Sequence, residues 1–248
     1  MEREIRIGAV SYLNTRPMLY GMEEGLRNHP HRVQLDYPSN LVKALQAGQI
    51  DLGLVPVAAL LTLDDYSLVS DFCIGTEGEV ASVCLFSHVP LAEITSIRLD
   101  YQSRTSVLLC KIILRDLYKQ EVEYYASQND ADLLSVSGNQ AALLIGDRAL
   151  LARKQFAYVT DLGSAWRQLT QLPFVFAVWV SKLKLDPKFL DDFNRALSKG
   201  VKDLDAVIDE LSFQEYDLSR YFKHNISYTL DDAKRRGIEE FLRRAKTL

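Results

Sequence analysis

Up to Ser181 the chain alternates short apolar strands with helical stretches, and this alternation restricts it to an α/β fold whose sheets are covered on both faces. Ile5–Val10 reads as a strand, Pro17–Glu24 as a helix stopped by Gly25, and Arg32–Tyr37 as a second strand. Ser39 is placed to cap a helix over Asn40–Ala47, with Gly48 just past its end. Asp51–Val57 is an apolar strand and Ala58–Leu63 a short helix or turn. A second series has strands at Ile97–Leu99, Val122–Ala126, Ala141–Ile145 and Tyr158–Asp161, with Ser103 capping an apolar helix that runs to Tyr118. Two apolar strands, Val80–Phe86 and Pro173–Val180, bracket that series. Beyond Ser181 only helices are predicted, the last opening at Thr229-x-x-Asp232 like a capping box.

The bracketing predicts two lobes joined by two crossings. Lobe one takes residues 1–87 with 178–248, and lobe two takes 88–177. Each is expected to be a mostly parallel sheet flanked by helices, with a helical C-terminal segment. A ligand then belongs in the cleft, and hinge motion closes the lobes on it.

Composition narrows the partners. The formal net charge is −4 and the basic residues are scattered, which argues against nucleic acid. No apolar run reaches the roughly 18 residues that span a bilayer. No basic and apolar leader precedes the first strand, so a cytoplasmic protein without a membrane partner is expected. Cys73, Cys84 and Cys110 are far apart in apolar surroundings and read as buried thiols. The four histidines lack metal-ligand spacing, and no phosphate-binding loop or serine-hydrolase elbow is present, so no metal or cofactor is predicted.

Five constellations can carry chemistry. Ser11-Tyr12-Leu13-Asn14-Thr15-Arg16-Pro17 follows the first strand with more polar side chains than a helix cap needs, at the strand end where α/β sheets bind ligands. Ser103-Arg104-Thr105-Ser106 opens a buried helix, and three hydroxyls beside free N–H groups suit an anion. Gly48–Val57 contains Asp51, which reads as a structural acceptor. Ser82 interrupts an apolar strand, so its hydroxyl needs a partner, either a ligand or a backbone carbonyl. Asp147, after the strand Ala141–Ile145, is either a helix cap or a ligand contact.

Taken together, these stretches resemble the chorismate dehydratases of the futalosine route to menaquinone, which have the type II periplasmic-binding-protein fold. The resemblance is carried by SYLNTRP (Ser11–Pro17), GQIDLGLVPV (Gly48–Val57), GEVASVCLFS (Gly78–Ser87), SRTSV (Ser103–Val107), Gly146-Asp147 and DLGSAWRQLTQLPFVFAVW (Asp161–Trp179). The tail Tyr221–Ala245 fits the same pattern. One departure is Gln171, where the family has glycine before Leu-Pro-Phe. If that glycine adopts a positive φ, Gln171 strains the turn into the return strand.

The resemblance implies loss of water from chorismate to give 3-[(1-carboxyvinyl)oxy]benzoate, without a cofactor. Ser103, Thr105 and Ser106 would hold one carboxylate of this dicarboxylate, and Ser11 and Arg16 the other, although Arg16 equally suits a structural pair. Asn14 would fix the reacting carboxylate or the leaving hydroxyl, with Ser82 facing it and Asp147 nearby. No motif offers a histidine or glutamate base, so the enolpyruvyl carboxylate is expected to take the ring proton. Two other readings stay open: a non-catalytic cytosolic binding protein for a small dicarboxylate, and the sister dihydroxynaphthoate synthase, which lacks the Ser11–Pro17 signature.

Overall fold

The computed structural model describes residues 3–248 and contains two mixed sheets flanked by helices. The first half-lobe is built from β1 (Ile5–Val10), α1 (Arg16–Gly25), β2 (His31–Asp36), α2 (Pro38–Gln46), β3 (Leu52–Pro56) and β4 (Ser67–Thr76). The second lobe holds β5 (Val83–Ser87), β6 (Ser96–Leu99), α3 (Arg104–Ile112), β7 (Glu123–Ala126), α4 (Asp130–Leu134), β8 (Gln140–Ile145), α5 (Gly146–Ala152), β9 (Tyr158–Asp161) and α6 (Leu162–Thr170). The chain then returns through β10 (Phe174–Ser181), α7 (Pro187–Lys202), α8 (Leu204–Asp209), α9 (Leu218–Arg220), β11 (Ser227–Thr229) and α10 (Asp232–Ala245).

Strand order is β11-β4-β10-β3-β1-β2 in one sheet and β7-β6-β8-β5-β9 in the other. The sheets are mixed rather than mostly parallel. β1 is parallel to β2 and β3, and β6 to β7 and β8, but the crossing strands β5 and β10 run antiparallel to both of their neighbours. The crossings also fall earlier than expected. β5 pairs only within the second sheet, although residues up to 87 were assigned to lobe one. All of β10 from Phe174 lies in the first sheet, although residues to 177 were assigned to lobe two. An apolar strand is buried in either sheet, so hydropathy alone does not say which one it joins.

Two strands escaped sequence reading. β4 begins with exposed and half-buried positions, so its period is irregular, and β11 has three residues in the connection between the last two expected helices. Some caps also differ. Pro38, not Ser39, opens α2, and Asp231 rather than Thr229 caps α10 by accepting from Lys234 N–H. Ser103 does cap α3, which continues in wider turns to Tyr118.

The outer helices are fixed by close approach. A Cβ on Gly21 would sit 2.0 Å from the Ala196 carbonyl oxygen, and one on Gly200 would sit 1.8 Å from that of Pro17, so α1 and α7 cross backbone against backbone. Asp51 is the structural acceptor expected. It takes the Arg6 N–H at 2.8 Å and the guanidinium groups of Arg3 and Arg6. Cys73, Cys84 and Cys110 are buried free thiols. Among the described residues, no helix is long and apolar enough to cross a membrane.

Candidate active site

The strand ends of the two sheets meet around a cavity of about 530 Å³, counting the space open to solvent at its mouth. Val10, Tyr12, Asn14, Pro38, Pro56, Ile74, Phe176 and Ala177 line it from the first lobe. Ser82, Val83, Ser103, Thr105, Ser106, Ile145 and Gly146 line it from the second, beside Val80 of the crossing. None of these lining residues carries a carboxylate, imidazole, ammonium or guanidinium group.

Asn14 reaches the cavity because β1 ends at Val10 and the chain tightens into one 3-10 turn over Leu13–Thr15 before α1. That turn buries Asn14 among apolar neighbours. Its side-chain oxygen is 3.4 Å from the Thr15 hydroxyl, a weak bond, so the amide is left to face the cavity.

Ser82 is held by a strained approach. Ala81 has φ of +62°, and Ser82 N–H donates to the Val80 carbonyl at 2.7 Å, closing a γ-turn of the rare positive-φ kind. The Asp161 carboxylate holds this turn, accepting from Ala81 N–H at 2.8 Å and Val80 N–H at 3.1 Å. From the other side, Gly146 N–H donates to the Ser82 carbonyl at 2.8 Å. Burial pushes the Asp161 carboxyl up, and the backbone N–H groups oppose that push.

The start of α3 supplies the remaining donors. Ser103 is consumed as the cap: its oxygen accepts from Ser106 N–H at 3.1 Å and its hydroxyl donates to Ser106 Oγ at 2.9 Å. Ser106 keeps its own hydroxyl hydrogen for another acceptor. Thr105 Oγ1 accepts from Ala58 N–H of the first lobe at 3.0 Å and likewise keeps a hydrogen. First-turn N–H groups have no partner within a helix, so this end attracts an anion.

Two more bonds cross the cleft. Tyr12 donates to Gln102 Oε1 at 2.7 Å, and Leu13 N–H donates to Asp147 Oδ1 at 3.0 Å. Tyr12 also lies flat against Gly146, whose φ is +60° and whose missing Cβ would sit 3.0 Å from the ring. Asp147 is therefore neither helix cap nor cavity lining. It is a cross-lobe acceptor, and burial pushes its carboxyl up.

The structure brings Asn14, Ser82, Ser103, Thr105 and Ser106 together at one cavity. Ser11 and Arg16 are exposed, and neither lines it; Arg16 faces α8 in a separate surface pocket with Leu19, Tyr20 and Glu23. The 3-10 turn rotates alternate side chains outward, which a motif read as a string does not reveal. Tyr221 was missed. It is fully buried and donates to Ser82 Oγ at 2.8 Å from 139 residues away. Its only sequence signal was its place at the head of the tail motif.

Two lobes closing on a cavity at their strand ends define an α/β protein of the periplasmic-binding-protein fold. A Candida albicans protein reported to exhibit that generic fold superposes with a TM-score of 0.68 at 10% identity, covering 99% of this chain and 91% of that one. An Archaeoglobus fulgidus crystal structure gives a TM-score of 0.79 at 14% identity, covering 98% of this chain and 97% of that one. The family is more specific than the fold: residues 5–247 match the menaquinone biosynthesis family model, and the chain belongs to that family. The chorismate dehydratase of Thermus thermophilus is 29% identical over 95% of this chain and 93% of its own length.

Proposed function

We propose that this protein is a cytoplasmic chorismate dehydratase, converting chorismate to 3-[(1-carboxyvinyl)oxy]benzoate and water. The observation that carries the reading is the chemistry of the cavity wall. It offers neutral donors and acceptors at Asn14, Ser82, Thr105, Ser106 and the α3 N-terminus, and no carboxylate or imidazole base. Such a wall orients a dicarboxylate and leaves the proton transfer to the substrate.

The ring carboxylate lies at the start of α3, where Thr105 and Ser106 keep free hydroxyl hydrogens. Asn14 holds the enolpyruvyl carboxylate or the leaving hydroxyl, with Ser82 opposite. The enolpyruvyl carboxylate removes the hydrogen from the ether-bearing ring carbon. The freed electron pair completes the aromatic ring as the carbon–oxygen bond to the hydroxyl breaks. The proton taken and the hydroxide released make up the water lost. With Ser11 and Arg16 outside the cavity, no guanidinium is assigned to the substrate.

Proton NMR of protein mixed with chorismate tests the reading. Loss of diene signals with growth of aromatic ones is expected, and binding without conversion would favour a dicarboxylate receptor instead. Asn14→Ala is expected to lose turnover by at least about a hundredfold while still binding chorismate. An Asn14→Ala enzyme of near-normal rate would sink the role given to Asn14. Loss of turnover on replacing Glu79 or Asp147, with binding intact, would move the base to the protein.

A further inference from the structure

Tyr221 opens a single wide turn, Tyr221–Asn225, after α9, and wide turns of this kind are concentrated at functional sites. Its ring packs against Tyr216 and Phe222, which explains the ring but not the hydroxyl. The segment is pinned to the crossing beside Ser82. Arg220 pairs with the Glu79 carboxylate at 2.8 Å, and Asn225 Nδ2 donates to the Glu79 carbonyl at 3.2 Å. The C-terminal tail thus delivers one phenol to the back of the cavity wall.

Hydrogen-bond accounting shows what that phenol does there. The Tyr221 hydroxyl donates to Ser82 Oγ at 2.8 Å. A serine hydroxyl has one hydrogen and two acceptor sites. With Tyr221 filling one acceptor site, the only protein acceptor offered to the Ser82 hydrogen among the described residues is the Val80 carbonyl at 3.4 Å, beyond a good hydroxyl bond. The Ser82 hydrogen is left to the cavity. Burial holds the Tyr221 phenol well above its ordinary range, so it remains a donor at neutral pH.

We infer that Tyr221 is a positioning residue for the dehydration: by donating to Ser82 Oγ from outside the cavity, it aims the Ser82 hydroxyl hydrogen at the leaving oxygen of the substrate. The inference rests on the chorismate reading and adds a residue to it. Tyr221 and Ser82 form a pair of donors that ends on the substrate, with the Ser82 hydroxyl polarised by the phenol behind it.

A double-mutant cycle in kcat tests it, with wild type, Tyr221→Phe, Ser82→Ala and the double variant all assayed on chorismate. Tyr221→Phe is expected to lower kcat about tenfold, to change KM by less than about twofold and to shift the melting temperature by under about 2 °C. In the Ser82→Ala background the same change is expected to cost almost nothing, because Tyr221 acts through Ser82. An equal cost in both backgrounds, or a normal kcat for Tyr221→Phe, overturns the inference. Should Tyr221→Phe melt early, 3-fluorotyrosine at 221 keeps the ring and makes the donor more acidic. It is then expected to change kcat at an unchanged melting temperature, and no change overturns the inference. A wild type that binds chorismate without converting it overturns the chorismate reading and this inference together, whereas an additive cycle in a converting enzyme overturns only the role of Tyr221.

Discussion

Tyr12 donates its phenol hydrogen to Gln102 Oε1 at 2.7 Å, tying the end of β1 in the first lobe to the approach to α3 in the second. The bond bridges the two lobes, so it favours the arrangement in which they are closed together. Removing it with Tyr12→Phe leaves the ring against Gly146 and strands a buried carbonyl. Binding of chorismate is expected to weaken by about 1 kcal/mol, roughly fivefold, in a calorimetric titration. Unchanged affinity would show that the bond forms only after the substrate is committed.

The crossing of α1 and α7 has no room for a side chain at its centre. Gly200→Ala places a methyl on the Pro17 carbonyl, and the backbone of either helix must move. A loss of about 3 kcal/mol is expected in urea unfolding, at the upper end of what overpacking costs. A loss under about 0.5 kcal/mol, typical of a surface change, would mean that the helices separate easily.

Gln171 ends α6 with φ of +60°, the left-handed conformation that glycine adopts without strain. Its side chain is exposed and its N–H and carbonyl are already bonded to Arg167, so glycine gives up only the long bond from Gln171 Nε2 to the Gln168 carbonyl at 3.3 Å. Gln171→Gly is expected to stabilise the protein by about 0.5–1 kcal/mol, or about 2 °C in melting temperature. A lower melting temperature would show that unfolded-chain entropy outweighs the relieved strain.

Asp116 joins the end of the α3 extension to α10. Hydrogen bonds from Arg115 and then Arg244 hold its carboxyl at about 2, below the ordinary 3.8. The folded form therefore binds a proton less readily than the unfolded chain. The stabilisation is fully present above pH 3.8 and is lost as pH falls through about 2. Screening by solvent around the guanidinium groups leaves about 1 kcal/mol. Asp116→Asn is expected to cost that amount at neutral pH and clearly less near pH 2, where the native carboxyl is half protonated, read from denaturant unfolding at both. An equal cost at both pH values would assign the effect to packing.

Local signals were read where a few neighbouring residues settle the outcome. Ser103 was legible as a cap because Ser106 N–H lies three residues away. Gly48 was legible past α2, where φ is +67°. Asn14 and Ser82 stood out as polar groups where apolar strands end or are interrupted. β4 was not legible, because only pairing with β10 and β11 stabilises its irregular pattern. Neither was the sheet that β5 joins.

The sequence by itself determined an α/β chain of two lobes and put polar groups where its apolar strands end or are interrupted. These follow from periodicities and caps that act over a few residues. The tertiary structure alone decided that Arg16 faces outward, that Asp147 accepts from Leu13 across the cleft, and that Tyr221 supports Ser82 from 139 residues away. Such contacts depend on how sheets and helices pack, and packing joins residues that share no local pattern.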